Sequence, residues 1–326
     1  MESNNHTEEN YIWVLWWQGE ENAPPLVKAC IKSIRKNCGD ANVIILDKDN
    51  YSEWVYISEN LAEKFKTGYF SVTHFSDIIR ANILFQRGGL WLDSTIYLTS
   101  DIPKEIFERE FYSLKGADIN DKSIANRRWT SFLIGGRAGN EVCKCLSIAF
   151  ENYWSKHNRL VAYLLVDFCL DAIYDKNIIA RNLIDKLPYY EYGIFDMASI
   201  LKNDFDMADI ADFGTFNKLS WKEDYSSGTS ADTLYKKILL ANDIEVTQNS
   251  NNVRSENKLR RKLRSFFRHF KNLFNFGFIK EFGFGISLSE FFKSCFRTSN
   301  SKFAIKITKK YNNKIKKYIN NQNILG

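Results

Sequence analysis

The first patterned stretch of the chain is "YIWVLWW", Tyr11 to Trp17, which runs through β-branched and aromatic residues without a polar break before the turn-forming "QGEENAPP". A short apolar run bounded in this way predicts a strand buried on both faces. Pro24 and Pro25 then open a helix that extends to about Asn37, proline being well suited to the first helical turn. "ANVIILDKDN" predicts a second buried strand ending in turn residues. Strand, helix and strand in this order indicate a parallel α/β unit with a right-handed crossover. Phe75, Ile78, Ile79, Ile83 and Phe85 recur at helical density between Phe70 and Gln86, and Gly88-Gly89 stop that helix. Leu90 to Leu98 predicts the next strand, "EFYSLKG" and "RWTSFLIGGRAG" two more. Asn140 to Trp154 and Leu160 to Tyr174 predict helices, while residues 180 to 215 favour no single element.

The pattern changes near residue 247. "TQNSNNVRSEN", Thr247 to Asn257, is polar and predicts a linker. Beyond it Leu259, Leu263, Phe266, Phe267, Phe270 and Phe274 recur at helical spacing with Arg and Lys between them, which predicts a basic amphipathic helix. Charge divides at the same place. Residues 254 to 326 hold 18 Lys/Arg against 3 Asp/Glu, and residues 1 to 253 hold the other 27 against 36. The expected organisation is therefore a mildly acidic body (1–246), a linker (247–257) and a basic helical tail (258–326). Such a tail suits an anionic membrane surface, with Phe and Leu in the headgroup boundary and Lys and Arg on the phosphates. A nucleic-acid backbone would also attract the charge, and a helix folded onto the body is a third reading. Phe gathered on one face argues for lipid or packing, so no nucleic-acid partner is expected.

Composition narrows the class. The chain has 326 residues, 44% hydrophobic and 26% charged, the balance of an ordinary globular protein with a substantial core. Its six cysteines are scattered, and Cys143-x-Cys145 has no second pair or nearby His to complete a zinc site, so buried free thiols in a reducing compartment are expected. The N-terminus "MESNNHTEEN" is polar and unlike a secretory signal. No apolar run reaches the ~18 residues that span a bilayer. A cytoplasmic location follows as the expectation. The four histidines show no metal spacing, and neither a Ser-His-Asp set nor a phosphate-binding P-loop is apparent.

Chemistry concentrates in "FSDIIRANILFQRGGLWLDSTIYL", residues 75 to 98. Asp93 sits at the end of an apolar run, where an uncompensated charge is costly. It can cap the following turn, act as a catalytic acid or base, or bind a metal at the carboxyl edge of a parallel strand. Asp167 follows another apolar run on a predicted helix, with Asp171 one turn further on the same face. It serves as a base or positioning group, or as a plain cap or surface acid. "NKLSWKEDYSSG" gathers Lys218, Ser220, Trp221 and Lys222 in one loop-like segment that either meets an anion or merely covers the surface.

The ordered set "SDIIRANILFQRGGLWLDST" resembles the bacterial capsular polysaccharide synthesis proteins, and is similar to glycosyltransferase family 32 and the large clostridial glucosylating toxins. These share an S-D-x-x-R helix, a Gly-Gly turn and an apolar strand ending in D-x-D or D-x-T. "IWVLWWQGEENAPPLVKACIKSIRKN", "VAYLLVDFCLD" and "NKLSWK" extend the likeness, in order, over roughly residues 11 to 240. The resemblance implies an α/β fold of the GT-A, Rossmann-like type, carrying the basic helical extension outside it. It implies a hexosyltransferase-type enzyme moving sugar from a nucleotide-sugar donor, a UDP-sugar, to a surface glycan or lipid-linked glycan with Mn²⁺ or Mg²⁺. By the same resemblance Asp77 holds donor ribose or sugar hydroxyls, Arg80 the sugar or phosphate, and Ser94 the donor. Asp93 lies at the metal and sugar with Thr95 as the second metal position. Trp16 and Trp17 stack on the base unless they are core. Asp167 faces the donor sugar or acceptor hydroxyl, and Lys218, Ser220, Trp221 and Lys222 close over the diphosphate.

Family 32 usually carries Asp where this chain has Thr95; the capsular group resembles this chain in having Thr. Metal binding is then expected through Asp93, the diphosphate and water. Thr95 equally supports the alternative, a non-catalytic membrane-associated scaffold of a polysaccharide synthesis complex. Because such glycans are commonly built on lipid anchors, residues 258–297 are expected on the anionic inner leaflet, with the protein peripheral to the cytoplasmic face.

Overall fold

A computed structural model describes residues 9–116, 123–223, 225, 232–245, 276–295 and 302–325. Among these the strands are β1 (Tyr11–Leu15), β2 (Asn42–Leu46), β3 (Gly89–Leu92), β4 (Ile96–Leu98), β5 (Phe111–Ser113), β6 (Leu133–Gly136) and β7 (Phe216–Lys218). The helices of the body are α1 (Pro25–Lys36), α2 (Tyr51–Trp54), α3 (Glu59–Lys66), α4 (Val72–Arg87), α5 (Glu105–Glu108), α6 (Glu141–Lys156), α7 (Leu165–Lys176), α8 (Ile178–Asp185), α9 (Asp196–Ser199) and α10 (Leu234–Leu240). Three more follow: α11 (Phe276–Phe282), α12 (Phe284–Cys295) and α13 (Lys302–Asn321).

The central sheet runs β2-β1-β3-β6-β5, and β4 pairs with β7 in a separate two-stranded sheet. β1 is parallel to β2 and β3, as the first strand–helix–strand unit requires. The other half is not parallel: β6 runs against β3, and β5 against β6. Antiparallel neighbours need no crossover helix. Their register sets Leu133 opposite Leu92, so Phe132 lies at the end of β3 and its carbonyl accepts from Asp93 N at 3.0 Å.

The run expected as one strand from Leu90 to Leu98 breaks at Asp93-Ser94-Thr95. Ile96 N donates to Asp93 O at 2.8 Å, closing a tight turn, and the chain leaves the central sheet to pair with β7. The helix expected from Leu160 begins only at Leu165. At the entry to β3 two glycines are required. Gly88 (φ 68°) would place a Cβ 2.6 Å from Ala138 N, and Gly89 (φ 96°) one 2.5 Å from Tyr11 O. L-residues avoid such backbone conformations, so α4 can turn directly into β3 only here.

Side chains alternate across the sheet. Ile12, Val14, Leu90 and Leu92 face one apolar layer with Val27, Ile31 and Ile34 of α1, while Trp13, Leu15 and Trp91 face the other with α4, α6 and α7. A third apolar cluster joins Leu26 and Cys30 of α1 to Tyr97, Met197, Leu219, Leu234 and Ile238, fastening the β4–β7 ribbon to the body. Cys30, Cys143, Cys145 and Cys169 are buried free thiols, and burial pushes that of Cys143 up to about 12.

α13 lies against α7, burying Tyr311, Ile315 and Ile319 in the cluster that holds Phe150 and Phe168. Lys316 Nζ donates to Asp171 Oδ1 at 2.8 Å, and His157 Nδ1 lies 3.1 Å from Glu281 Oε1. Lys306, Lys309, Lys310 and Lys317 remain on its exposed side. The expected linker and the amphipathic helix over Leu259 to Phe274 lie outside the described residues. No helix among the described residues is long and apolar enough to cross a membrane.

Candidate functional site

The carboxyl end of β3 is where charge gathers. Strand alternation puts Asp93 on the same side as Trp91, facing α4, whose Asp77 and Arg80 are one turn apart. Arg80 is 4% exposed. Its Nη2 reaches Asp93 Oδ1 at 3.1 Å and Asp77 Oδ1 at 3.3 Å, Nη1 donates to the Ser131 carbonyl, and its guanidinium lies over the Trp91 ring at 5.1 Å. Arg80 Nε is buried without a hydrogen-bond acceptor. Trp91 Nε1 donates to the same Asp93 oxygen at 3.1 Å. His74 Nδ1 stands 3.9 Å from Asp77 Oδ2.

The second cation arrives from far along the chain. In the β4–β7 pair Lys218 is in register with Ile96, and Leu219 N donates to Thr95 O at 2.8 Å. Lys218 Nζ thereby reaches Asp93 Oδ2 at 2.7 Å and Thr95 Oγ1 at 2.8 Å, with the Phe132 ring 5.1 Å away. Burial acts to raise the Asp93 carboxyl, but the charges of Lys218 and Arg80 and the hydrogen bonds from Lys218 and Trp91 outweigh it, holding the group below its ordinary range. Asp93 keeps 28% of its side chain exposed, against 12% for Asp77 and 17% for Lys218. It is the anionic group of the cluster most open to solvent.

Of the residues singled out in the sequence, Asp77, Arg80, Asp93, Thr95 and Lys218 are brought into one network. Trp16 and Trp221 form a second feature: their rings meet edge to face at 5.6 Å, Trp221 exposed and Trp16 with its Nε1 buried and unpartnered. Trp17 is half-buried and packs on the edge of the core against Tyr51, Phe65 and Phe75. Asp167 stands in the first turn of α7, accepting from Trp129 Nε1 at 3.1 Å, and next to it Arg128 bridges to Asp171 at 2.5 Å. Ser94 turns the chain between Asp93 and Thr95; Ser220 and Lys222 follow β7, Lys222 exposed.

The sequence reading overlooked Trp91, Trp129, Ser131 and Phe132. Trp91 was within reach, because period-two alternation already places it on the side of Asp93. Phe132 and Ser131 join only through the antiparallel register of β6, and Trp129 through the packing of α7.

A divalent cation needs several hard oxygen ligands. Among the described residues no group of three or more His, Cys, Asp or Glu side chains is placed to hold a metal. Both oxygens of Asp93 accept from cationic or indole donors, and the Thr95 hydroxyl is neutral and faces the same ammonium. The protein ligands expected at Asp93 and Thr95, engaged by Lys218, Arg80 and Trp91, therefore do not fit a divalent ion in this arrangement.

A curated relative, the O-glycosyltransferase PaGT of Phomopsis amygdali, is 30% identical over 103 residues, which cover 29% of this chain and 25% of the relative. The chain thus spans about a quarter of that relative's length. The family described as capsular polysaccharide synthesis protein matches residues 1–238, nearly all of the body that carries the Asp93 network. The match takes in most of the chain, and the protein belongs to the capsular polysaccharide synthesis protein family.

Proposed function

We propose that the protein is a glycosyltransferase of the GT-A type that moves a sugar from a nucleotide-sugar donor, a UDP-sugar, to a growing surface glycan. The observation that carries this reading is the network at the end of β3: a carboxylate open to solvent, flanked by two cations that are anchored by the fold. Open α/β sheets bind ligands at the carboxyl ends of their strands. A diphosphate leaving group needs fixed positive charge, and a sugar needs carboxylates to accept from its hydroxyls.

In the transfer the bond from the sugar C1 to the diphosphate oxygen breaks with its electron pair going to the diphosphate. The acceptor hydroxyl oxygen bonds to C1 and its proton passes to the departing diphosphate. Arg80 and Lys218 meet the departing charge, Asp77 and Asp93 accept sugar hydroxyls, and the Trp16 and Trp221 rings offer an apolar surface to the base. Ser94, Ser220 and Lys222 extend the donor site, and Asp167 serves the donor sugar or the acceptor hydroxyl. The exposed lysines of α13 support docking on an anionic inner-leaflet surface, where a lipid-linked acceptor is held.

The test is release of UDP from a panel of UDP-sugars by the full chain, with Asp93→Asn as control. The wild type should turn over at least one donor, and the variant should lose at least about 100-fold in rate while remaining folded, with a lowered unfolding midpoint because Arg80 and Lys218 lose their shared carboxylate. A wild type inert towards every donor favours the scaffold reading instead. A fully active Asp93→Asn variant removes Asp93 from the site.

A further inference from the structure

The position between Asp93 and Thr95, where the D-x-T element leads one to expect a metal, already contains a cation. Lys218 Nζ donates to Asp93 Oδ2 at 2.7 Å and to Thr95 Oγ1 at 2.8 Å. This is no drifting surface lysine. Its backbone N donates to Ile194 O at 2.8 Å, the next amide donates to Thr95 O at 2.8 Å, and β7 pairs with the strand that follows the Asp93 turn. The side chain is 17% exposed and lies against Phe132, so its ammonium is held by both backbone and neighbours. Arg80 stands on the other oxygen of Asp93 at 3.1 Å. A divalent ion entering here would have to displace the ammonium and sit beside a guanidinium, with a single carboxylate and a hydroxyl from the protein to add to the oxygens of diphosphate and water.

We propose that Lys218 is the resident cation of this site and that glycosyl transfer proceeds without a divalent metal. The inference rests on the glycosyl-transfer reading above. An ammonium has three N–H donors. Two are engaged by Asp93 and Thr95, which leaves one for an oxygen of the diphosphate. As the C1–O bond breaks, the electron pair moves to that oxygen. The Lys218 charge stabilises it there, with Arg80 as the second positive group. The acceptor hydroxyl supplies the new bond to C1 and its proton passes to the departing diphosphate, so the step needs no further reactant. Thr95 also gains a reason: a second aspartate would leave excess negative charge on a single ammonium, whereas a hydroxyl accepts one hydrogen bond and adds none.

Full-length protein freed of metal by chelation is assayed for UDP release from UDP-sugars in EDTA and in Mn²⁺, and UDP binding is measured by calorimetry in both. The expected result is a rate and a UDP affinity in EDTA within about twofold of those in Mn²⁺. Lys218→Met should lower the rate by about 100-fold or more, the loss typical of removing one transition-state donor, and weaken UDP binding at least about tenfold. Lys218→Arg should retain more of both. Turnover that appears in Mn²⁺ and vanishes in EDTA overturns the inference and leaves glycosyl transfer standing. So does a folded Lys218→Met variant with wild-type rate. If the substitutions fail to fold, the comparison of wild type in EDTA and Mn²⁺ decides alone. Absence of turnover and of UDP binding in both conditions removes the transfer reading and this inference with it.

Discussion

Replacing Arg80 by methionine tests the network where it is most buried. The guanidinium sits between two carboxylates, 3.1 Å from Asp93 and 3.3 Å from Asp77, and is almost wholly removed from solvent. At an effective dielectric of about 20, each pair at this separation attracts by roughly 5 kcal/mol, most of which is offset by the cost of taking the charges out of water. Methionine fills much of the space over Trp91 but leaves both carboxylates, with His74 at 3.9 Å from one and Lys218 at 2.7 Å from the other. Removing one partner of a buried pair costs about 3–5 kcal/mol. That is the expected fall in unfolding free energy at pH 7, measured by urea titration with linear extrapolation.

The pH dependence supplies a second reading. Burial and then the opposing charges of Lys218 and Arg80 set the Asp93 carboxyl, with a net lowering. A group lowered on folding contributes stability above its unfolded pKa, about 3.9 for Asp, and loses it as pH falls through the folded value. Arg80→Met removes one source of the lowering. Its deficit against wild type should therefore shrink as pH falls from 7 towards the carboxylate range. A deficit below about 1 kcal/mol at pH 7, or one that grows on acidification, would refute the reasoning.

Two further predictions concern the docking of the C-terminal helices. Ile319→Ala empties a fully buried position in the shared core and should cost about 2–5 kcal/mol, seen as a lower midpoint of thermal unfolding; an unchanged midpoint would mean that α13 is not part of the core. His157 is lowered by burial, against the opposing pull of Glu281. Its contribution is complete above the unfolded pKa of about 6.5 and is lost as pH falls through the folded value. Melting temperatures taken between neutral and mildly acidic pH should decline on that limb, and His157→Gln should flatten it; parallel curves would assign the decline elsewhere.

Local signals announced much of this protein. Uninterrupted apolar runs marked β1 and β2, prolines the start of α1, and Gly88-Gly89 the only backbone able to turn α4 into β3. Asp77, Arg80 and Asp93 were singled out together by the family resemblance of one short stretch, in which they lie within 17 residues of one another. Trp16 and Trp17, which follow β1, shared one signal and separated in the fold. Trp17 packs among Tyr51, Phe65 and Phe75, while Trp16 meets Trp221 from beyond β7. No local pattern distinguishes a ring that packs on the edge of the core from one that meets a distant turn.

By itself, the sequence determined the α/β class, the helix–turn–strand that carries Asp93, and the need for that carboxylate to be compensated. What compensates it was decided by the tertiary structure. Lys218 lies 125 residues further on, and only the pairing of β4 with β7, held to α1 by a separate apolar cluster, brings its ammonium to Asp93 and Thr95. The same holds for the basic C-terminal region, whose charge is plain in the sequence but whose last helix buries Tyr311, Ile315 and Ile319 against α7. Periodicity specifies which face of an element is apolar; which other element covers that face depends on long-range packing, and a local pattern carries no record of it.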